Sequence, residues 1–239
     1  ASFFDSEWMF GVSDGFDIVI GNPPYIQLQE NGGFLANKYE HYNFESFTRT
    51  GDIYCLFYEQ GCKLLKQKGI LCYITSNKWM RTEYGRKLRS FFVKKNNPIL
   101  LVDFGGIKIF ESASVDTNIL LIVKEQYTFN TKSCTIPVFE ASQLLKDYFS
   151  ENFLINSFDA NNIWSVLEKI EINIRNKVER IGVRIKDLDI KINRGLLTGL
   201  NKAFIIDEKT KNNLISIDEK SSNIIFPILR GKDIKPYGY

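Results

Sequence analysis

Phe16-Asp-Ile-Val-Ile-Gly-Asn-Pro-Pro-Tyr25 joins two backbone habits that exclude each other. Its first half, Phe16 to Ile20, is a short apolar and β-branched run, which predicts a strand. Pro23 and Pro24 in succession cannot continue a central strand, because neither has an N–H for the ladder, so the chain must leave the sheet at Gly21-Asn22. The result is a strand whose C-terminal tip carries a rigid corner, the position where an open α/β sheet binds its ligands.

Outward from this corner the pattern continues as α/β. From Asp52, the residues Ile53, Leu56, Phe57, Gln60, Leu64 and Leu65 fall mostly on one helical face, and the basic end Lys63, Lys66, Lys68 precedes Gly69, as helix termination prefers. Ile70 to Ile74 predicts a buried strand ending at Thr75-Ser76-Asn77, and Arg81 to Val93 a second helix with Tyr84, Leu88, Phe91 and Phe92 as apolar contacts. Ile99 to Phe104 predicts the next strand, broken at Gly105-Gly106, and Ile119 to Val123 another. Strands alternating with helices imply parallel crossovers and a mostly parallel sheet. The segment between the last two strands is weakly helical, so Leu100–Phe104 and Asn118–Val123 are read as an antiparallel pair at the sheet edge.

Residues 26–50 are polar and aromatic, contain Gly32-Gly33 and show no sustained period, which reads as a long loop of functional rather than idle character. Further along, residues 131–139 predict a strand, and 142–153 and 160–172 predict helices, the latter through Ile163, Val166, Leu167 and Ile170. A boundary is expected near residues 175–190, followed by Lys191-Ile-Asn-Arg-Gly195 and a hairpin at 203–206.

With 239 residues, 44% of them hydrophobic, the chain can bury a substantial core. Its 31 Lys and Arg against 28 Asp and Glu leave a net charge of +3, which permits a nucleic-acid partner without arguing for one. Cys55, Cys62, Cys72 and Cys134 show no paired spacing and no neighbouring histidine, so no metal site is expected and the thiols read as reduced. No apolar run approaches the roughly 20 residues of a membrane span, and Ala1-Ser-Phe-Phe-Asp5 is no signal peptide. The expectation is a cytoplasmic protein with no membrane partner.

The corner carries the chemistry. The side-chain carbonyl of Asn22 and a neighbouring backbone carbonyl can each accept a hydrogen from an exocyclic amine, which orients its nitrogen toward an electrophilic methyl group. The prolines freeze the backbone that presents them, and Tyr25 offers a flat face on which a base stacks for roughly 1–3 kcal/mol. A bare Asn-Pro pair means only a rigid turn. Here its place after a strand and before a long loop argues for a site. Lys78, Arg81, Arg86, Lys87 and Arg89 form a basic cluster just beyond, divided between a solvated helix face and contact with a nucleic-acid backbone. His41, among Tyr39, Tyr42 and Phe44, is read as ordinary loop packing, and Gly105-Gly106 as a turn without the context of a phosphate loop.

The segment Asp17-Ile-Val-Ile-Gly-Asn-Pro-Pro-Tyr-Ile26 resembles the catalytic motif of adenine-N6 DNA methyltransferases from bacterial restriction-modification systems. Gly51-Asp-Ile-Tyr54, Gly69 to Trp79, Val102-Asp-Phe-Gly105 and Asp116 to Leu121 resemble the later motifs of the same domain. Arg194 to Phe204 and Ile228 to Ile234 resemble the opening of the target-recognition domain in type II enzymes that combine restriction with methylation.

The resemblance implies a Rossmann-like methyltransferase sheet that represents the C-terminal half of the domain, without the cofactor-binding N-terminal half, followed by the start of a mixed α/β target-recognition domain. The divisions would be 1–130 for the catalytic part, 131–185 for a helical connector and 186–239 for the recognition domain. Carried over, Asn22 and Pro23 would bind the adenine amino group within the Asn22, Pro23, Pro24, Tyr25 motif, and Tyr25 would stack on the flipped base. Asp52 and Tyr54 would border the cofactor, S-adenosyl-L-methionine, while Asn77, Lys78 and Trp79 would wall the pocket. Lys78, Arg81, Arg194, Lys202, Arg230 and Lys232 are the candidates for DNA contact.

The partner would be double-stranded DNA with an adenine swung out of the helix, because a paired amino nitrogen cannot be attacked in line. The resemblance also allows a nuclease domain or subunit elsewhere in the full protein, and no nuclease motif is visible in this chain. The glycine loop that holds the cofactor in this family has no counterpart in Ala1 to Gly15, so this chain by itself is expected to be inactive. Two other readings share the motif: an amino-methyltransferase acting on a substrate other than DNA, and a noncatalytic DNA-recognition subunit with a degenerate methyltransferase domain.

Overall fold

The structure is a computed structural model and describes residues 5–110, 115–136, 145–167, 169–191 and 200–228. Two units divide the chain, Ala1–Gly182 and Val183–Tyr239. The strands of the first are β1 (Phe16–Gly21), β2 (Leu65–Ser76), β3 (Asn97–Asp103), β4 (Thr117–Val123), β5 (Thr131–Thr135) and β6 (Leu154–Asn156). Its helices are α1 (Ser6–Phe10), α2 (Glu30–Tyr39), α3 (Tyr54–Leu64), α4 (Arg86–Lys95), α5 (Leu145–Asn152) and α6 (Lys169–Ile181).

The sheet runs in the order β1-β2-β4-β3-β5-β6. β1 with β2 and β3 with β5 pair in parallel, whereas β2 with β4, β3 with β4 and β5 with β6 pair antiparallel. The sheet is therefore mixed, not mostly parallel. The β3–β4 pair is antiparallel as read from the sequence, but it does not lie at the edge, since β4 is inserted between β2 and β3. Apolar residues on both sides of β4 account for this: Leu120 and Ile122 enter one layer and Ile119 the other, as a strand covered on both faces requires. β1, by contrast, is an edge strand, with Val19 packed inward and Ile18 and Ile20 exposed by 64% and 77%.

One face of the sheet carries the aromatic core of Tyr58, Trp79, Phe92 and Trp164 beneath α3 and α4. On the other face, Val102, Phe104, Cys134 and Ile136 pack against Leu145, Tyr148 and Phe149 of α5. Helix α3 stops at Leu64, earlier than the Gly69 stop expected. Leu65 already pairs with Phe16, and the irregular register between Phe16 and Ile18 absorbs Lys66–Gly69, where Lys68 takes φ 64°.

Three further expectations need correction. Residues 26–50 are not all loop, because α2 and a 3-10 turn at Glu40–Tyr42 lie within them. The chain reverses at Asn31, Gly32 and Gly33, with φ of 52°, 70° and 77°, a left-handed path that glycine adopts without strain. Leu28 and Ala36 then pack on Ile53 and Leu56, and the amide and hydroxyl of Ser46 each donate to buried Glu59 at 2.8 Å. The helix expected from Arg81 begins only at Arg86, because Gly85 lies against Trp79, where a Cβ would stand 1.9 Å from the Trp79 carbonyl oxygen.

Over 160–167 the expected helix is replaced by a turn in which Asp159 accepts from the amides of Asn161 and Asn162 at 2.7 and 2.8 Å, and Trp164 enters the core. Asp and Asn side chains compete in this way with helical hydrogen bonds. Helix α6 follows only from Lys169.

The described residues of the second unit include α7 (Asn201–Phe204) and α8 (Glu208–Ile217), the latter capped by Asp207 on the Thr210 amide. Asn201–Phe204 is thus helical where a hairpin at 203–206 was expected. None of the described residues of this unit is buried.

Candidate functional site

The parallel strands β1 and β2 end side by side, and the corner grows from their tips. Asn22 and Pro24 are exposed, Pro23 is buried and Tyr25 is half-buried. The Tyr25 hydroxyl donates to Asn22 Oδ1 at 3.0 Å and lies 3.5 Å from the Ile74 carbonyl of β2. Burial pushes the Tyr25 phenol up to about 12, so it stays a neutral donor. A carbonyl oxygen has two lone pairs, and Tyr25 engages one of those on Asn22. The Pro23 carbonyl receives no backbone N–H among the described residues. The corner therefore holds two oxygen acceptors with capacity to spare.

Asp52 is carried to this corner by a short backbone seam: Leu28 N donates to Gly51 O at 2.8 Å and Ile53 N to Ile26 O at 2.9 Å. Its Oδ2 accepts from the Tyr84 hydroxyl at 2.9 Å, which in turn lies 2.7 Å from the hydroxyl of Tyr54. The Tyr54 ring meets the Tyr25 ring edge to face, with centroids 6.1 Å apart. Burial raises both the Tyr54 and the Tyr84 phenols far above their ordinary range. Tyr54 is fully buried and supports the ring of Tyr25.

The other expected site residues separate. Asn77 is buried and donates to Asp103 Oδ1 at 2.8 Å, while Arg81 reaches Oδ2 of the same carboxylate at 3.1 Å. Trp79 is 0% exposed, donates to Asn118 Oδ1 at 3.2 Å and packs between Tyr58 and Phe92. Asn77 and Trp79 are thus held within the scaffold by these contacts. Lys78 is exposed, and Arg81 keeps about half of its side chain in solvent. Arg194, Arg230 and Lys232 lie outside the described residues, as does the side chain of Lys202. Tyr84, read from sequence only as an apolar contact, is the residue that was missed. The one available signal was a hydroxyl-bearing ring at a helix start where Phe91 and Phe92 supply the purely apolar ones.

A surface cavity of about 390 Å³ opens at the opposite end of the sheet, bordered by Cys62, Lys63, Gln67, Lys95 and Lys124. Its cations are already engaged: Lys63 with Glu59, Lys95 with Glu45, and Lys124 with the carbonyls of Lys63 and Leu65. It is remote from the corner and makes a weaker candidate site. Among the described residues there is no cluster of potential metal ligands and no helix long and apolar enough to cross a membrane.

Residues 1–110 match the family described as Eco57I restriction-modification methylase. Over 208 residues the chain is 26% identical to the type II restriction enzyme and methyltransferase RM.Eco57I of Escherichia coli, covering 84% of this chain and 20% of that protein. The chain is thus similar in sequence to restriction-modification methyltransferases. With the type II methyltransferase M.PaeR7I of Pseudomonas aeruginosa it shares 24% identity over 231 residues, 92% of this chain and 39% of that one. It thus spans between a fifth and two-fifths of the length of these two relatives.

The modification subunit of a candidate type I restriction enzyme from Vibrio vulnificus superposes with a TM-score of 0.50 at 16% identity, covering 67% of this chain and 40% of that one. This likeness bears on the fold alone and agrees with an α/β methyltransferase-like sheet.

Proposed function

We propose that the Asn22–Tyr25 corner binds the exocyclic amine of an adenine flipped out of duplex DNA and that the intact protein methylates its N6. The observation that carries this reading is an exposed amide oxygen, Asn22 Oδ1, held at a strand tip by an aromatic hydroxyl 3.0 Å away. One amino hydrogen would go to Asn22 Oδ1 and the other to the Pro23 carbonyl, leaving the nitrogen lone pair directed away from both. Tyr25, braced by Tyr54, would present its face to the base. The proton released by the nitrogen on methylation would leave along the hydrogen bond to solvent-facing Asn22. Preorganised acceptors of this kind accelerate a reaction chiefly by fixing orientation.

S-adenosyl-L-methionine, when bound, supplies the electrophilic methyl group. Among the described residues, Asp52 and the carbonyls of the corner would face its cationic end; acceptor oxygens and a carboxylate suit a sulfonium and an ammonium. Similarity to M.PaeR7I and RM.Eco57I supports a methyltransferase within a restriction-modification system, and similarity to RM.Eco57I, a restriction enzyme and methyltransferase, supports the combined restriction-methylation kind. We extend the proposal to the domains: residues 1–130 catalytic, 131–185 a connector and 186–239 the start of target recognition, a division that the break after Gly182 supports. Lys78 and Arg81 would meet the DNA backbone near the site, with Arg194, Lys202, Arg230 and Lys232 further along.

The test supplies the intact protein with methyl-labelled S-adenosyl-L-methionine and unmethylated DNA of mixed sequence. Label recovered as N6-methyladenine supports the reading. Label in a protein amide, or none in DNA, refutes it.

A further inference from the structure

We infer that Tyr84 is a positioning residue of this site, whose hydroxyl holds Asp52 and Tyr54 in place behind the corner. For its catalytic consequence the inference rests on the function proposed above; its geometric content does not.

A phenol carries one proton. Tyr84 gives its proton to Asp52 Oδ2 at 2.9 Å, so the 2.7 Å contact with Tyr54 must be donated by Tyr54. The order is therefore Tyr54 hydroxyl, Tyr84 hydroxyl, Asp52 carboxylate, and the charged acceptor at its end strengthens the link. It fixes one oxygen of Asp52 and leaves Oδ1 without a protein hydrogen bond among the described residues. It also sets the tilt of the Tyr54 ring, on whose edge Tyr25 rests.

Tyr84 itself is anchored from the other side. Thr48 Oγ1 donates to its carbonyl at 3.2 Å, and Gly51 lies close against the same threonine, where a Cβ would stand 3.0 Å from the Thr48 carbonyl oxygen. The Tyr84 hydroxyl thus joins the segments around residues 52 and 84, and the Tyr54 ring carries the link on to Tyr25.

Tyr84→Phe keeps the ring and removes only that hydroxyl. In the intact protein we expect kcat for adenine methylation to fall about tenfold with KM for DNA within about twofold, because orientation and not binding is lost, and the thermal midpoint to fall by a few degrees, because the buried Tyr54 hydroxyl loses its acceptor. Tyr54→Phe should cost a similar factor, and the double variant no more than about twofold beyond either single one, as members of one chain behave. A crystal structure of Tyr84→Phe should show Asp52 turned from its present position.

Full activity in Tyr84→Phe with Asp52 unmoved, or single effects that simply multiply, would overturn the inference. Should the wild type produce no N6-methyladenine while Asp52 still turns in Tyr84→Phe, the positioning role stands and the proposed function falls.

Discussion

Asn118 and Asn22 stand at the same end of the same sheet, one at the start of β4 and the other just past β1. Asn118 is fully buried, and its Oδ1 accepts from both Thr75 Oγ1 and Trp79 Nε1 at 3.2 Å. Asn22 is exposed, and its Oδ1 accepts from the Tyr25 hydroxyl alone among the described residues. The same side chain thus serves two ends. Where its acceptors are spent on neighbours it holds the scaffold, and where one remains free it can hold a substrate.

Trp79 offers the strongest way to break this contrast. As a core residue, Trp79→Ala should lower stability by about 3–5 kcal/mol in denaturant unfolding. A pocket-wall residue would instead lose activity at nearly constant stability. Asn118→Ala sharpens the same point with a smaller effect: it strands the Trp79 indole donor in the interior, at a cost of about 1–3 kcal/mol. Its loss of activity should follow the loss of fold.

A further effect is in the pH dependence. Burial pushes the Cys134 thiol up to about 11 and the Tyr25 phenol up to about 12. In the unfolded chain these groups titrate near about 8.5 and about 10. The folded protein thus retains protons that the unfolded chain releases, so the contribution of these two groups is constant below about 8.5 and is lost progressively toward about 12. Unfolding midpoints measured across that interval should decline, and Tyr25→Phe should flatten the upper part of the slope. A midpoint that rises with pH would contradict the assignment.

Much of this was legible in the chain itself. Paired prolines after a β-branched run placed the corner at a strand tip, and the apolar runs located the strands. What escaped depends on contacts between distant segments. The central place of β4 is decided by both of its faces being covered. The helical turn inside residues 26–50 depends on Ala36 and Leu28 finding Ile53 and Leu56. Trp79 next to Lys78 reads as equally available for a pocket, and only the ring of Phe92 and the amide of Asn118 show that it faces inward. Tyr84 lies 32 positions from the carboxylate it serves, beyond the reach of any local pattern.

The most direct measurement compares the intact protein with its Asn22→Ala variant, digesting treated DNA to nucleosides and quantifying N6-methyladenine. Loss of the exposed acceptor should reduce methylation by roughly 100-fold or more, with unfolding midpoints that coincide. Equal yields from the two proteins would show that the free oxygen at this corner does not hold the reacting amine.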